Sequence, residues 1–309
     1  MRSTLVFGAN GYLGRQLCWW LHGHRFHVTA SSRQNEAVTG LPVDTVYFPL
    51  DLLDKAALTA APVEADMIFL FTGRTGTTAG FSRYEDFVQA NEISLLNVLA
   101  ELKKRKFAGR LIFPSTRLVY RGKRPGLLKE EDEKDPKTTY AINKLACEQH
   151  LQAWRNAFGL EFTIYRICVP FGLVGPGAYN YGTLGFMIRQ ALEKKEITLY
   201  GDGSLRRTFT DIRDLCEIMT RASILPQTAG KILNIGSRDH ISLLEAANQI
   251  AKRTGASVKL VPWPELDLAI ESGDTAFSDV SLQTLFPHKY VGDLTSYLET
   301  LRSEQPSPS

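Results

Sequence analysis

Thr4-Leu5-Val6-Phe7-Gly8-Ala9-Asn10-Gly11-Tyr12-Leu13-Gly14 decides the architecture. An apolar run ends in three glycines spaced three apart, and Leu13, Leu17, Trp20 and Leu21 then recur at helical spacing until Gly23. A strand that turns sharply into a helix reads this way. The first glycine permits the tight turn, the second lets backbone N–H groups approach an anion, and the third lets helix and strand pack closely. Between a strand and a helix, the loop reads as the seat of a pyrophosphate, with Asn10, Tyr12 and Leu13 beside it.

Working outward, β-branched or apolar runs recur at Thr4–Phe7, His27–Ala30, Thr45–Phe48, Met67–Phe71, Leu111–Pro114 and Phe162–Ile167, most of them separated by helical periods. That alternation predicts a parallel sheet covered on both faces, because a parallel crossover needs a helix-length connection. Asp135-Pro136 is expected to open a helix running to Phe158, with a capping carboxylate and a proline at its first position. From Cys168 the rhythm breaks into Gly/Pro-rich stretches. The expected division is a dinucleotide domain over 1–167, rejoined by about 205–237, a smaller lobe over 168–204 and 238–301, and a disordered tail over 302–309.

The 309 residues, 44% of them hydrophobic, suffice for a sizeable core, and a net charge of +3 without a basic stripe argues against nucleic acid. The four cysteines, Cys18, Cys147, Cys168 and Cys216, have no paired spacing, so neither a metal site nor a disulfide framework is expected, and a reducing cytoplasm fits. No run approaches the roughly 18 apolar residues of a membrane span.

At the end of the second strand stands Ser31-Ser32-Arg33, where an NAD site usually places a carboxylate on the ribose 2′-hydroxyl. A guanidinium and two hydroxyls suit a 2′-phosphate, so NADP(H) is favoured over NAD(H). Asp51-Leu52, after the third strand, is placed to reach the adenine or, equally, to cap a turn, and Phe71-Thr72-Gly73 ends the fourth strand on the same side.

Tyr140 and Lys144 stand four apart on one helix face. An ammonium near a phenol favours the phenolate, moving it toward a useful acid–base range. Thr116 follows the fifth strand at a carboxyl end, where it can hydrogen-bond a substrate carbonyl.

Together these segments resemble the extended short-chain dehydrogenase/reductase, or epimerase/dehydratase, family from about Leu5 to at least Asp214. The matching stretches are Gly8–Gly14, Phe113-Pro-Ser115-Thr116-Arg-Leu-Val-Tyr120, Tyr140-Ala-Ile-Asn-Lys144 and Leu233-Asn-Ile-Gly-Ser237. The resemblance implies an α/β fold: a Rossmann-type doubly wound parallel sheet with a smaller C-terminal α/β substrate lobe. It implies Tyr140 as the acid–base residue, Lys144 on the nicotinamide ribose and lowering the tyrosine pKa, Thr116 beside them, and Asn91 supporting the site. Tyr200-Gly-Asp-Gly-Ser-Leu-Arg-Arg207 is similar to the segment with which nucleotide-sugar members hold the diphosphate, so Arg207 is expected there. Arg74, Thr75, Arg117, Val169 and Tyr200 complete the expected substrate contacts, with Thr77, Tyr179 and Tyr181 as further candidates.

Departures from the family narrow the expected reaction. Thr116 is followed by Arg117 and Leu118, not by the acidic pair of 4,6-dehydratases, and no cysteine or histidine stands where bifunctional epimerase-reductases carry theirs. Val169 replaces a usual asparagine. The expectation is NADPH-dependent reduction of a nucleoside-diphosphate 4-keto-6-deoxysugar, with a 4-epimerase as the nearest rival and a non-catalytic NADP(H) sensor as a third reading. A homodimer through a four-helix contact is implied by resemblance alone.

Overall fold

A computed structural model describes residues 1–35 and 40–301, so the tail expected over 302–309 lies outside the described residues. Its strands in chain order are β1 (Ser3–Phe7), β2 (His27–Ser32), β3 (Val46–Pro49), β4 (Met67–Leu70), β5 (Arg110–Thr116) and β6 (Phe162–Ile167), followed by β7 (Val169–Phe171), β8 (Ile197–Tyr200), β9 (Arg206–Asp211), β10 (Lys231–Asn234), β11 (Asp239–Ser242) and β12 (Val258–Val261). All six strands expected in the first half form, with slightly shifted ends.

A seven-stranded sheet runs β10-β6-β5-β4-β1-β2-β3, with every pairing parallel. The chain winds outward from β1 to β3, then crosses back to β4 beside β1 and winds the other way. The reversal opens a crevice at the carboxyl ends of β1 and β4, which is where such sheets take ligands. Strand residues alternate between two cores. Leu5, Phe7, Ile68 and Leu111 pack under Leu95, Leu99 and Leu151, while Val6, Phe69 and Ile112 pack against Leu17, Leu21 and Leu215. Burial on both faces explains why the strands read as continuous apolar runs.

Helix Tyr12–Gly23 follows β1 through the glycine loop. Gly8 has φ +79, and a Cβ there would lie 2.7 Å from the Phe71 carbonyl carbon and oxygen; a Cβ on Gly14 would collide with the Gly8 carbonyl. The segment Tyr84–Lys104 is α-helical except for one π turn, Gln89–Ile93, that carries Asn91. Such turns are rare inside helices and often mark functional positions.

Two expectations need correction. The long helix spans Thr139–Phe158 and does not open at Asp135-Pro136, because the Thr138 hydroxyl caps it by accepting from Ala141 N. The return to the large sheet also begins later than about 205. β9 is the middle strand of a three-stranded sheet, β11-β9-β7, and it is helix Ile212–Arg221 that packs back on Tyr12–Gly23. β8 and β12 form a further parallel pair under helices Gly182–Leu192 and Leu243–Thr254. Among the described residues no helix is long and apolar enough to cross a membrane.

Candidate active site

The crevice holds two adjoining cavities. One, of about 500 Å³, is lined by Asn10, Ser31, Ser32, Arg33, Asp51 and Leu52; the other, of about 230 Å³, by Tyr12, Leu13, Gly14, Asn91, Thr116, Tyr140 and Lys144. Gly8, Gly11, Phe71, Thr72 and Gly73 border both, so an elongated ligand crossing from one to the other passes over the glycine loop.

The loop is built from backbone bonds that leave its rim open. Gly8 N and Ala9 N donate to Ser31 O at 2.8 and 3.1 Å, which ties β1 to β2 where the turn begins. Gly73, at φ +138, lies so close to Asn91 Oδ1 that any side chain there would collide with it. Asn91 Nδ2 donates to Phe87 O at 2.9 Å and to Arg74 O at 3.2 Å, fixing the π turn against the loop after β4.

A nicotinamide dinucleotide fits these residues on two observations. Gly8 packs on Phe71 and Gly14 on Gly8 so closely that neither could carry a Cβ, which lays the loop along both cavities, and Ser31 Oγ and Asn91 Oδ1 are buried polar atoms without a protein partner. Buried polar atoms of this kind call for a ligand or water. Ser32 Oγ, by contrast, shares a 2.9 Å hydrogen bond with Tyr47 OH, and Arg33 is exposed at the rim. Asp51 accepts from Leu53 N at 3.0 Å, so it caps its own turn while lining the cavity.

Thr116 ends β5, and Tyr140 and Lys144 reach it from one face of helix Thr139–Phe158. Lys144 Nζ donates to Pro114 O at 2.8 Å, 4.3 Å from the Phe113 ring centroid and 6.0 Å from that of Tyr140. The expectation that Lys144 lowers the Tyr140 pKa is not met in this pocket. Burial, then Tyr181, push the phenol well above its ordinary value, and a hydrogen bond with the Thr116 side chain only partly opposes them. The ammonium is itself turned to a carbonyl, and burial lowers its pKa from 10.5 to about 8.

That depressed lysine yields a prediction. The unfolded chain keeps this proton up to the ordinary lysine value, so above about pH 8 the unfolded state binds more protons than the folded one. Stability from this group then rises with pH, by up to about 3 kcal/mol near pH 10.5. Lys144→Met removes the effect, so the melting-temperature difference between variant and wild type should shift in favour of the wild type as pH rises. Melts near pH 7 and pH 10 check this; a pH-independent difference contradicts it.

Under the triad lies a buried polar chain that sequence reasoning missed. Ser115 Oγ donates to Glu148 Oε1 at 2.5 Å, and Arg166 pairs with both oxygens of Glu148, at 3.0 and 2.6 Å. Arg166 Nη1 also donates to Tyr120 OH at 2.6 Å, and Tyr120 OH to Asn234 Oδ1 at 2.7 Å. These bonds lock the end of β5 to the helix that carries Tyr140. Tyr181, Cys168 and Pro170 also wall the smaller cavity, and Tyr181 stacks on Tyr12 with ring centroids 4.7 Å apart.

Several expected substrate residues lie elsewhere. Thr75 lines the smaller cavity, but Arg74 faces Asp86 at 3.7 Å and Val169 is a buried strand residue, 8% exposed. Tyr200 packs on Trp263, and Tyr179 OH donates to Pro170 O. Arg207 is 2% exposed, with its Nη groups already donating to Glu271 Oε1, Gly273 O and Arg206 O. Its fork is therefore occupied within the protein. Among the described residues no group of three or more His, Cys, Asp or Glu could hold a metal.

Comparison with known proteins settles the family. The NAD dependent epimerase/dehydratase family matches residues 4–236. This chain belongs to that family. A UDP-N-acetyl-alpha-D-glucosaminuronate decarboxylase of Bacillus cytotoxicus is 30% identical over 280 residues, covering 85% of this chain and 84% of the relative. A GDP-6-deoxy-D-mannose reductase of Pseudomonas aeruginosa is 26% identical, with 85% and 84% covered. The UDP-glucuronic acid 4-epimerase of Bacillus cereus, solved with UDP-glucuronic acid and NAD, superposes with a TM-score of 0.81 at 23% identity, with 96% of each chain covered. Family membership makes the chain an NAD(P)-dependent nucleotide-sugar-modifying enzyme of the extended short-chain dehydrogenase/reductase type, and the superposition gives the same fold.

Proposed function

We propose that this epimerase/dehydratase-family enzyme oxidises C4 of a nucleotide-linked hexose and returns the hydride to the same sugar, with Tyr140 carrying the proton. The observation that carries this reading is the convergence of Thr116, Tyr140 and Lys144 in one cavity whose opposite wall is the glycine loop. When bound, a nicotinamide dinucleotide supplies the hydride acceptor and donor, and Gly8, Gly11, Gly14, Ser31, Thr72, Gly73 and Asn91 would hold it. Thr116 would fix the sugar 4-hydroxyl by hydrogen bonding, and Tyr140 Oη would take its proton on oxidation and give it back on reduction. Lys144 would supply positive charge beside the developing oxyanion and the phenolate. A redox-neutral outcome is favoured by the relatives, which include UDP-glucuronate and dTDP-L-rhamnose 4-epimerases as well as the decarboxylase.

The expected NADPH-dependent reduction of a 4-keto-6-deoxysugar stays as a second reading, because Ser31-Ser32-Arg33 offers no carboxylate to the ribose and Arg33 stands at the rim of the larger cavity. Exposed Tyr84, Ile142 and Phe158, on the segments from which a four-helix contact was expected, support a homodimer. The deciding experiment measures dinucleotide retained by the purified protein and the conversion of nucleoside-diphosphate hexoses and 4-ketosugars. Retained dinucleotide with hexose conversion is the expected result. Consumption of free NADPH with 4-ketosugars alone replaces it by the reductase reading, and no conversion of any sugar refutes both.

A further inference from the structure

A third cavity, of about 550 Å³, lies at the opposite edge of the seven-stranded sheet, where Arg2 precedes β1, Asp66 precedes β4, Arg110 opens β5 and Glu161 precedes β6. Arg110 and Thr116 are the two ends of β5, about 20 Å apart at the rise of a strand, so this space is separate from the crevice. Val63, Met67, Leu102, Phe107 and Ile224 give it an apolar bed. Gly109 fixes its wall. A Cβ there would lie 2.6 Å from the Phe107 ring and from Asp66 O, and Arg110 N donates to the same Asp66 O at 2.9 Å, which packs the loop before β5 on the loop before β4.

The charges around this bed are unevenly satisfied. Three carboxylates line it, and each has a partner: Asp66 Oδ2 accepts from Ser3 N at 2.7 Å, Glu161 pairs with Arg155 at 3.4 Å, and the exposed Glu64 lies 4.0 Å from Arg105. Arg105 is in turn held by Glu101 at 2.7 Å. The other cations on the wall are Arg2, Lys106 and Arg110. Among the described residues none of them forms an ion pair, although the Arg2 charge is felt at Asp66 and the Glu161 charge at Arg110. Arg110 is half-buried, and its Nη1 donates to the Thr163 and Thr228 hydroxyls at 2.9 and 3.3 Å. A guanidinium carries five donors, so most of its capacity is unused. Partly desolvated, it gains most from an anion that offers two oxygens. We infer that this cavity is a second ligand site, for a phosphate monoester carried on an apolar body about one ring in size, with the phosphate on Arg110 and the ring on the apolar bed. A carboxylate would neutralise one of the three unpaired cations, whereas a phosphate monoester brings a charge of roughly −1.5 to −2. The inference does not depend on the C4 reaction.

Phenyl phosphate is the probe, titrated calorimetrically into the full chain beside inorganic phosphate, benzoate and benzyl alcohol, with NAD⁺ present to occupy the crevice. It should bind on the order of 10-fold more tightly than each of the others, because burying a ring and pairing a desolvated guanidinium are each worth at least that factor. Arg110→Met should lower its affinity on the order of 10-fold, and Arg110→Lys should keep part of it, since an ammonium retains the charge but not the fork. Because Arg110→Met can fail to fold, Ala108→Trp gives a second readout. Ala108 is exposed on the cavity wall, and an indole there fills the space while Arg110 stays intact, so binding of phenyl phosphate should be lost. No binding of phenyl phosphate at millimolar concentration overturns the inference. So does equally tight binding of inorganic phosphate or benzoate, and so does an affinity that survives in folded Arg110→Met or in Ala108→Trp. All of these outcomes leave the C4 reaction standing, because its test uses sugar nucleotides.

Discussion

Tyr140→Phe is expected to lower kcat/KM for the sugar by about 10²- to 10⁴-fold, the usual contribution of a positioned acid–base group, while dinucleotide affinity stays nearly unchanged. The substitution removes one oxygen from a half-buried ring. Helix Thr139–Phe158, the Lys144–Pro114 hydrogen bond and the glycine loop make no use of that oxygen. The phenol is protonated in the resting pocket because burial pushes its pKa up, so it is poised to donate and must be made acidic before it can accept. Steady-state assay and a dinucleotide titration on the same preparation check the split. Retained turnover would remove Tyr140 from the chemistry, and a parallel loss of dinucleotide binding would make its role structural.

Arg166→Met should be the most damaging substitution for stability, at about 3–5 kcal/mol by urea unfolding. Arg166 and Glu148 are 3% and 2% exposed, and truncating the arginine leaves a buried carboxylate with only Ser115 as a neutral donor. Tyr120 also loses the guanidinium that donates to its oxygen. Adding Glu148→Leu to Arg166→Met should recover much of the loss, because burying two apolar groups costs far less than burying one unpaired charge. A single variant as stable as the wild type would show that the pair is not buried as described. If the double variant folds but turns over slowly, the pair acts chiefly by holding β5 against the helix that carries Tyr140.

How much of this was legible in the sequence depended on how local each cause was. The glycine loop is one: turn, close backbone approach and helix packing are all dictated within Gly8–Gly14, and the structure places them there. The alternation of strands and helices likewise gave the sheet, and Tyr140 with Lys144 could be paired from helical spacing alone. Arg207 failed for the opposite reason. Its partner Glu271 lies 64 residues away, and nothing near Arg207 in sequence shows that its donors are occupied. The Glu148–Arg166 pair was missed because two charged residues on neighbouring elements read as solvated until both are seen buried. The lysine effect on Tyr140 was expected from spacing, yet spacing says nothing of desolvation, which raises the phenol pKa here while the ammonium is turned to Pro114 O. The π turn at Gln89–Ile93 left no trace in the apolar period.

The central claim is hydride transfer at C4 inside the pocket of Thr116, Tyr140 and Lys144. Its most direct test is a single turnover with nucleoside-diphosphate hexuronates and hexoses deuterated at C4, quenched and analysed for deuterium on the nicotinamide ring by mass spectrometry. Transfer of the label to the dinucleotide by the wild type, and its absence in Tyr140→Phe that still binds dinucleotide, is the predicted result. A sugar converted with its C4 deuterium never leaving the carbon would contradict it.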